Sequence, residues 1–74
     1  MSDLAENFAR QQQTACALAA LAPKYRVPLL LQNQFDFSVK EIAEILKLTE
    51  SNVKVRLHRA RQMFREAFAE EEQS

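Results

Sequence analysis

Not one of the 74 residues is Gly. Tight hairpins draw on Gly because their two-residue loops need positive φ. A sheet built from such hairpins is a poor fit, and helices are the expected answer. The remaining composition agrees: Ala, Leu, Glu, Gln, Lys and Arg dominate, and these are strong helix formers. A chain of this length holds one domain with one small core. The expectation is an all-α fold: a four-helix small domain spanning 1–74.

Periodicity and the two prolines divide the chain. The first helix is expected from about Asp3 to Leu21, with Leu4, Phe8, Ala15, Leu18 and Leu21 on one broad face. Cys16 reads as a small apolar residue packed on that helix. It is the sole Cys, so no internal disulfide is possible, which fits a reducing compartment. Pro23 interrupts. The second helix runs from about Lys24 to Gln34, with Pro28 inside its first turns. Pro lacks the N–H and crowds the preceding turn, so a late start or a bend is predicted. The link NQFDF, residues 33–37, follows.

The third helix has the clearest start. Ser38 with Glu41 forms a capping box, each satisfying a free backbone N–H of the other. Ile42, Ala43, Ile45 and Leu46 continue at helical spacing to about Lys47. The fourth helix begins near Thr49 or Glu50 and runs to about Phe68. Val53, Leu57, Ala60, Phe64 and Phe68 make one apolar stripe along it. An acidic tail at about 69–74 is expected to be flexible.

Only KLT separates these last two helices, which suggests a helix-turn-helix over about 38–68. In that motif the second helix enters the DNA major groove. Ala43 is the small residue needed where the two helices cross, and Leu48 with Val53 fills the angle. Lys47 stands where positive φ is often wanted, a conformation Gly takes without penalty and Lys takes at a cost.

The stretch SVKEIAEILKLTESNVKVRLHRAR, 38–61, is similar to the second half of region four of bacterial sigma factors, in its extracytoplasmic-function (ECF) form. That group shows Glu-Ile-Ala followed at this distance by Arg-Leu-x-Arg-Ala-Arg. Upstream, ALAALAPKYRVPLLLQ, 17–32, resembles the same family's Leu-Pro-x-x-x-Arg segment. The sequence departs at Lys47, where Gly is usual, and at Ser51-Asn52, which replace Gly-Thr. Val55 replaces Ser, Val39 replaces an aromatic residue, and Ala22 is an insertion before Pro23. The resemblance implies a recognition helix on the promoter −35 element, a contact with the β flap of the RNA polymerase core, and capture by anti-sigma factors. No stretch resembles region two, so an excised or free-standing region-four domain is expected.

The helical period then assigns directions on the fourth helix. Val53, Leu57, Ala60 and Phe64 face inward, while Ser51, Asn52, Lys54, Val55, His58 and Arg59 project outward. Lys54 and Arg59 match the family's basic DNA-contact positions, and Arg59 has the geometry for a two-pronged contact to guanine. Val55 cannot hydrogen-bond a base but can touch a thymine methyl. Arg56 and Arg61 lie toward the flanks, open either to phosphate or to Glu41, Glu44 or Glu66. Each Arg taken singly reads equally as a solvated surface residue, and the clustering favours DNA. Ser38 and Lys40 complete the proposed surface, since the start of the third helix can seat a phosphate. Formal neutrality does not oppose this: ten basic and ten acidic residues cancel in sum, not in local field.

The first half carries surplus apolar residues. Most are expected in the core, and a subset, Tyr25, Leu30, Leu31 and Phe35, is the candidate groove for a partner helix. Leu31 and Phe35, four apart, lead that set. Two other functions stay open. A sigma mimic that occupies an anti-sigma factor needs the groove but not the basic helix. A LuxR-type regulator shares Glu-Ile-Ala but continues differently. A lone His58 and Cys16 supply no catalytic set and no metal site, so no enzyme activity, cofactor, metal or small-molecule ligand is expected. The longest uncharged apolar run, Ala15 to Pro23, is too short to span a bilayer. The start MSDLAEN is unlike a signal peptide. A bacterial cytoplasmic protein is the expectation.

Overall fold

A computed structural model describes the backbone of residues 2–73 and the side chains of residues 9–70. Its elements are α1 (Ser2–Ala19), α2 (Pro23–Asn33), α3 (Val39–Leu46) and α4 (Glu50–Gln73). The all-α expectation holds. α4 is the centre of the packing and touches each of the other three helices. Its stripe forms the middle of the core: Val53, Leu57 and Ala60 are buried against Leu21, Leu29, Ile42 and Ala43. Among the described residues no polar side chain is buried. Burial of apolar area is therefore the main force holding these helices together.

α1 presents a different face from the expected one. Ala17 is fully buried, whereas Ala15 and Cys16 are exposed. Successive residues of a helix lie about 100° apart, so turning Ala17 and Leu21 inward turns Ala15 and Cys16 away. Cys16 is thus not the packed residue its type suggested. Leu4 and Phe8 lie outside the described side chains.

α2 begins neither late nor after Pro28. Pro23 sits at its first turn, where a missing N–H removes no helical bond. The Tyr25 and Arg26 N–H groups both donate to the Ala22 carbonyl at 2.9 Å, so the helix is already closed before Pro28. The Pro28 ring is fully buried. The end of α2 is closed by Gln34 N–H donating to the Leu30 carbonyl at 2.9 Å and Phe37 N–H donating to the Leu31 carbonyl at 3.0 Å. Asp36 makes that reversal with φ 57°, a left-handed position that Asp tolerates better than most residues.

The turn between α3 and α4 is equally tight. Lys47 adopts φ 58°, ψ 46°. Leu48 N–H donates back to the Ala43 carbonyl at 2.9 Å, which is the bond of a Schellman motif. Leu48 packs on the core beside the buried Ala43 and Val53, as expected. Left-handed backbone costs a side-chain-bearing residue roughly 1–2 kcal/mol, and part of any gain from Gly is lost to its freer unfolded chain. Lys47→Gly is expected to raise stability by about 0.5–1 kcal/mol, visible as a higher urea midpoint at unchanged slope. A lower midpoint would show that the Lys47 side chain stabilises the turn in another way.

α4 starts with Thr49 as its cap: the Asn52 N–H donates to Thr49 Oγ1 at 3.1 Å. It continues to Gln73, five residues beyond the expected end at Phe68. The Phe64 and Phe68 rings lie 5.8 Å apart, and Ala67 and Phe68 are half-buried. α1 and its following turn lie along this part, with Ala20 and Leu21 near Met63 and Ala67. Tertiary cover therefore reaches past Phe64. Beyond it the chain is Glu-rich, and Glu is a good helix former.

Candidate nucleic-acid interface

The interface begins at the start of α3. Ser38 has extended backbone, and its hydroxyl accepts from the Glu41 N–H at 3.1 Å. The Ser38 N–H donates to Glu41 Oε1 at 3.0 Å. The capping box read from the sequence is present on both sides. It also qualifies the phosphate seat, because two of the amino-terminal N–H groups already have partners. Lys40 is exposed in the same turn.

Hydrogen bonding to the carboxyl from the Ser38 backbone N–H first, and from the Ser38 hydroxyl second, holds Glu41 below the usual Glu range, with desolvation opposing. A depressed folded pKa has one sign in linkage. The ionised Glu41 favours the folded state above the ordinary Glu pKa, and that contribution is lost as pH falls through the lowered value. Glu41→Gln is therefore expected to be less stable than the wild type near neutrality, with the gap closing in acid. Urea midpoints at a series of pH values measure it. A gap that is constant with pH would remove the charge from the explanation.

On α4, Ser51, Asn52, Lys54, Val55, His58 and Arg59 are all exposed. Val55 keeps 48% of its surface, an apolar side chain held in water at the middle of this face. The core-facing positions Val53, Leu57 and Ala60 fix the rotation of the helix, so the outward set follows from packing. Gln62 is exposed as well and lies one turn beyond His58. The same periodicity that selected His58 would have found it.

Arg56 and Arg61 separate from this set. Arg56 is half-buried and lines a hollow with Val27, Pro28, Leu46 and Leu48. Its aliphatic stem covers the junction of α2 and α3, a common use of long basic side chains. Arg61 donates from Nη2 to Gln32 Oε1 on α2. Gln32 carried no signal in the sequence, since nothing local indicates which helix will stand beside Arg61. Neither arginine is held by Glu41, Glu44 or Glu66 in the hydrogen bonds observed among the described residues.

The four candidate groove residues are not brought together. An apolar cleft of about 290 Å³ lies between α1, α2 and α4, lined by Leu18, Leu29, Leu30 and Phe64 with the exposed Arg61 and Arg65. Leu30 alone of the four lines it. Leu31 packs on the core. Phe35 is 63% exposed, so the leading pair is divided between interior and solvent. Tyr25 lines a separate hollow with Ala22, Met63 and Ala67. α2 is short and packed on one side, so residues four apart diverge once the chain turns after Asn33.

A short capped helix, a left-handed turn closed on Ala43, and a second helix with two exposed turns define a helix-turn-helix domain. The model of the family described as sigma-70, region 4, matches residues 11–64. The chain belongs to that family. Comparison with curated proteins and with solved structures gives no match. Among the described residues no helix is long and apolar enough to cross a membrane.

Proposed function

We propose that this domain binds the −35 element of promoter DNA as region four of an ECF-type sigma factor, in the bacterial cytoplasm. The observation that carries the reading is the outward face of α4, where Ser51, Asn52, Lys54, Val55, His58 and Arg59 are jointly exposed beside the capped start of α3. A helix of this kind enters the major groove with its amino-terminal turns at the base edges. Lys54 neutralises phosphate. Arg59 contacts phosphate or the guanine edge. Val55 and His58 meet bases in the groove, and Ser38 and Lys40 fix the register on the backbone. Arg56 and Arg61 leave this set for structural roles.

The cleft lined by Leu18, Leu29, Leu30 and Phe64 is the proposed seat for an apolar helix, either from the polymerase β flap or from an anti-sigma factor. Tyr25, Leu31 and Phe35 are outside it.

Fluorescence anisotropy of labelled duplexes tests the DNA reading. One module contacts few phosphates, so affinity is expected to be modest and to fall steeply with salt. Selection from a random duplex pool should enrich a defined short sequence. Binding that is absent at low salt would overturn the reading. Core polymerase with its flap deleted tests the cleft, which loses its assigned partner if the deletion has no effect.

A further inference from the structure

α4 carries a second row of side chains, which leaves the DNA face at Arg59 and runs toward the end of the helix. Arg59, Met63, Glu66, Ala67 and Glu70 follow one another at four, three, one and three residues, so they share an arc of about 100°. Arg59, Glu66 and Glu70 are exposed, and Met63 keeps 37% of its surface. A hollow of about 270 Å³ borders the row, lined by Ala20, Ala22, Tyr25 and Ala67 with Met63 at its side. Neither the apolar cleft nor the reading face accounts for this hollow or for the two glutamates on it.

The charges of the row have no match on their own helix. Glu66 and Glu70 stand one turn apart, a like-charge pair that costs a helix stability. No basic residue lies three or four places from either: those positions hold Gln62, Met63, Ala67, Ala69, Gln73 and Ser74. Arg59 has only Val55, Arg56, Gln62 and Met63 at the same distances. Seven and eleven residues separate Arg59 from the two acids, roughly 10 and 17 Å along the axis, beyond the one-turn reach at which helix charges pair. The row is thus positive at one end, negative at the other and apolar between. Such a surface is complementary to itself when turned end for end. A two-fold axis between Met63 and Glu66 sets Arg59 against Glu70 of the second copy at both ends, an isologous contact. The same rotation carries Met63 of the second copy toward the hollow, and an unbranched Met side chain fills an irregular gap well.

We propose that this row is a self-association surface, on which a second copy of the chain docks antiparallel along α4. Arg59 and Glu70 pair across both ends, and each Met63 enters the hollow of the other copy. The row is short, so the interface is small and the dimer is weak and concentration-dependent. Its charge pairs lie at the rim, where salt screens them. Pairing covers Arg59, so the dimer and the DNA complex exclude each other. That exclusion rests on the DNA-binding reading above, whereas the pairing does not.

The test is sedimentation equilibrium of the protein without DNA, over a range of protein and salt concentrations. The wild type is expected to show a monomer–dimer equilibrium that shifts to monomer as salt rises. Arg59→Glu and Glu70→Arg, each alone, set like charges against each other at both ends, and each is expected to weaken pairing on the order of tenfold. Mixed in equal amounts, the two variants should pair again, because each then meets the opposite charge at both ends. Both positions are exposed, and far-UV circular dichroism checks that both variants stay folded. A wild type that remains monomeric up to about a millimolar overturns the inference. So do single variants that pair as well as the wild type, or a mixture that fails to recover. Adding a duplex to the wild-type dimer is expected to give one-to-one complexes, and a duplex that carries an intact dimer rules out the exclusion. If no duplex binds, the DNA reading falls and the exclusion with it, while sedimentation without DNA still decides the pairing.

Discussion

Leu57→Ala is expected to remove roughly 2–5 kcal/mol of folding stability. Leu57 is 1% exposed and is among the largest fully buried side chains of the domain. It lies on α4, the helix that packs on all three others, so the cavity opens at the centre of the core. The neighbouring groups are held by their own helices and cannot collapse into it. A domain of 74 residues has a total stability of only about 4–11 kcal/mol at ~0.05–0.15 kcal/mol per residue. The variant should therefore be partly unfolded at room temperature. Urea denaturation followed by far-UV circular dichroism reads the change. Val55→Ala on the exposed face of the same helix is the control, and should stay within about 0.5 kcal/mol of the wild type. Equal losses at the two positions would mean that α4 is not rotated as described.

Lys54→Ala together with Arg59→Ala is expected to weaken duplex binding on the order of a hundredfold at low salt, summing one phosphate contact and one charge-assisted fork. The slope of log affinity against log salt should fall by about 2. Stability should hardly change, because both side chains are exposed. Arg56→Ala should do the reverse. Its stem lines the hollow between α2 and α3, so the substitution costs stability and leaves the salt slope nearly intact. If Arg56→Ala alters the slope as much as the double variant does, the division of the basic residues into a reading face and a packing set is wrong.

Local signals were legible wherever the physics is local. The capping box at Ser38 and Glu41 depends on four consecutive residues, and both of its bonds are present. The left-handed Lys47 follows from the spacing of Ala43, Leu48 and Val53, and needs no knowledge of the remaining chain. The α4 stripe was legible because a strict period over five apolar positions leaves one way to face a core. α1 was misread at Ala15 and Cys16 because Ala and Cys populate most of its second half. Such a composition offers several faces of similar hydrophobicity, and only the position of α4 selects among them. The late start expected of Pro28 does not occur, for a related reason. Where the helix starts depends on whether the earlier turn is already closed, and the Tyr25 and Arg26 N–H groups on the Ala22 carbonyl close it.

The partner groove was the least legible part. Leu31 and Phe35 have the spacing of helical neighbours, but the helix ends at Asn33 and Asp36 reverses the chain. The cleft that does form takes Leu18 from α1, Leu30 from α2 and Phe64 from α4, residues with no relation in sequence.

The sequence by itself determined that the chain is helical, where α3 starts, how the turn into α4 is made, and which side of α4 looks outward. Each of these is set by backbone bonds within a few residues or by the helical period. Only the tertiary structure decided the fates of Arg56, Arg59 and Arg61. They are near neighbours on one helix, yet one packs on a junction, one stays exposed on the outward face and one is held by Gln32. The period fixes the angle at which each side chain leaves α4. What stands at that angle depends on how α2 crosses behind it, and the buried contacts of Leu21, Leu29, Val53 and Leu57 set that crossing.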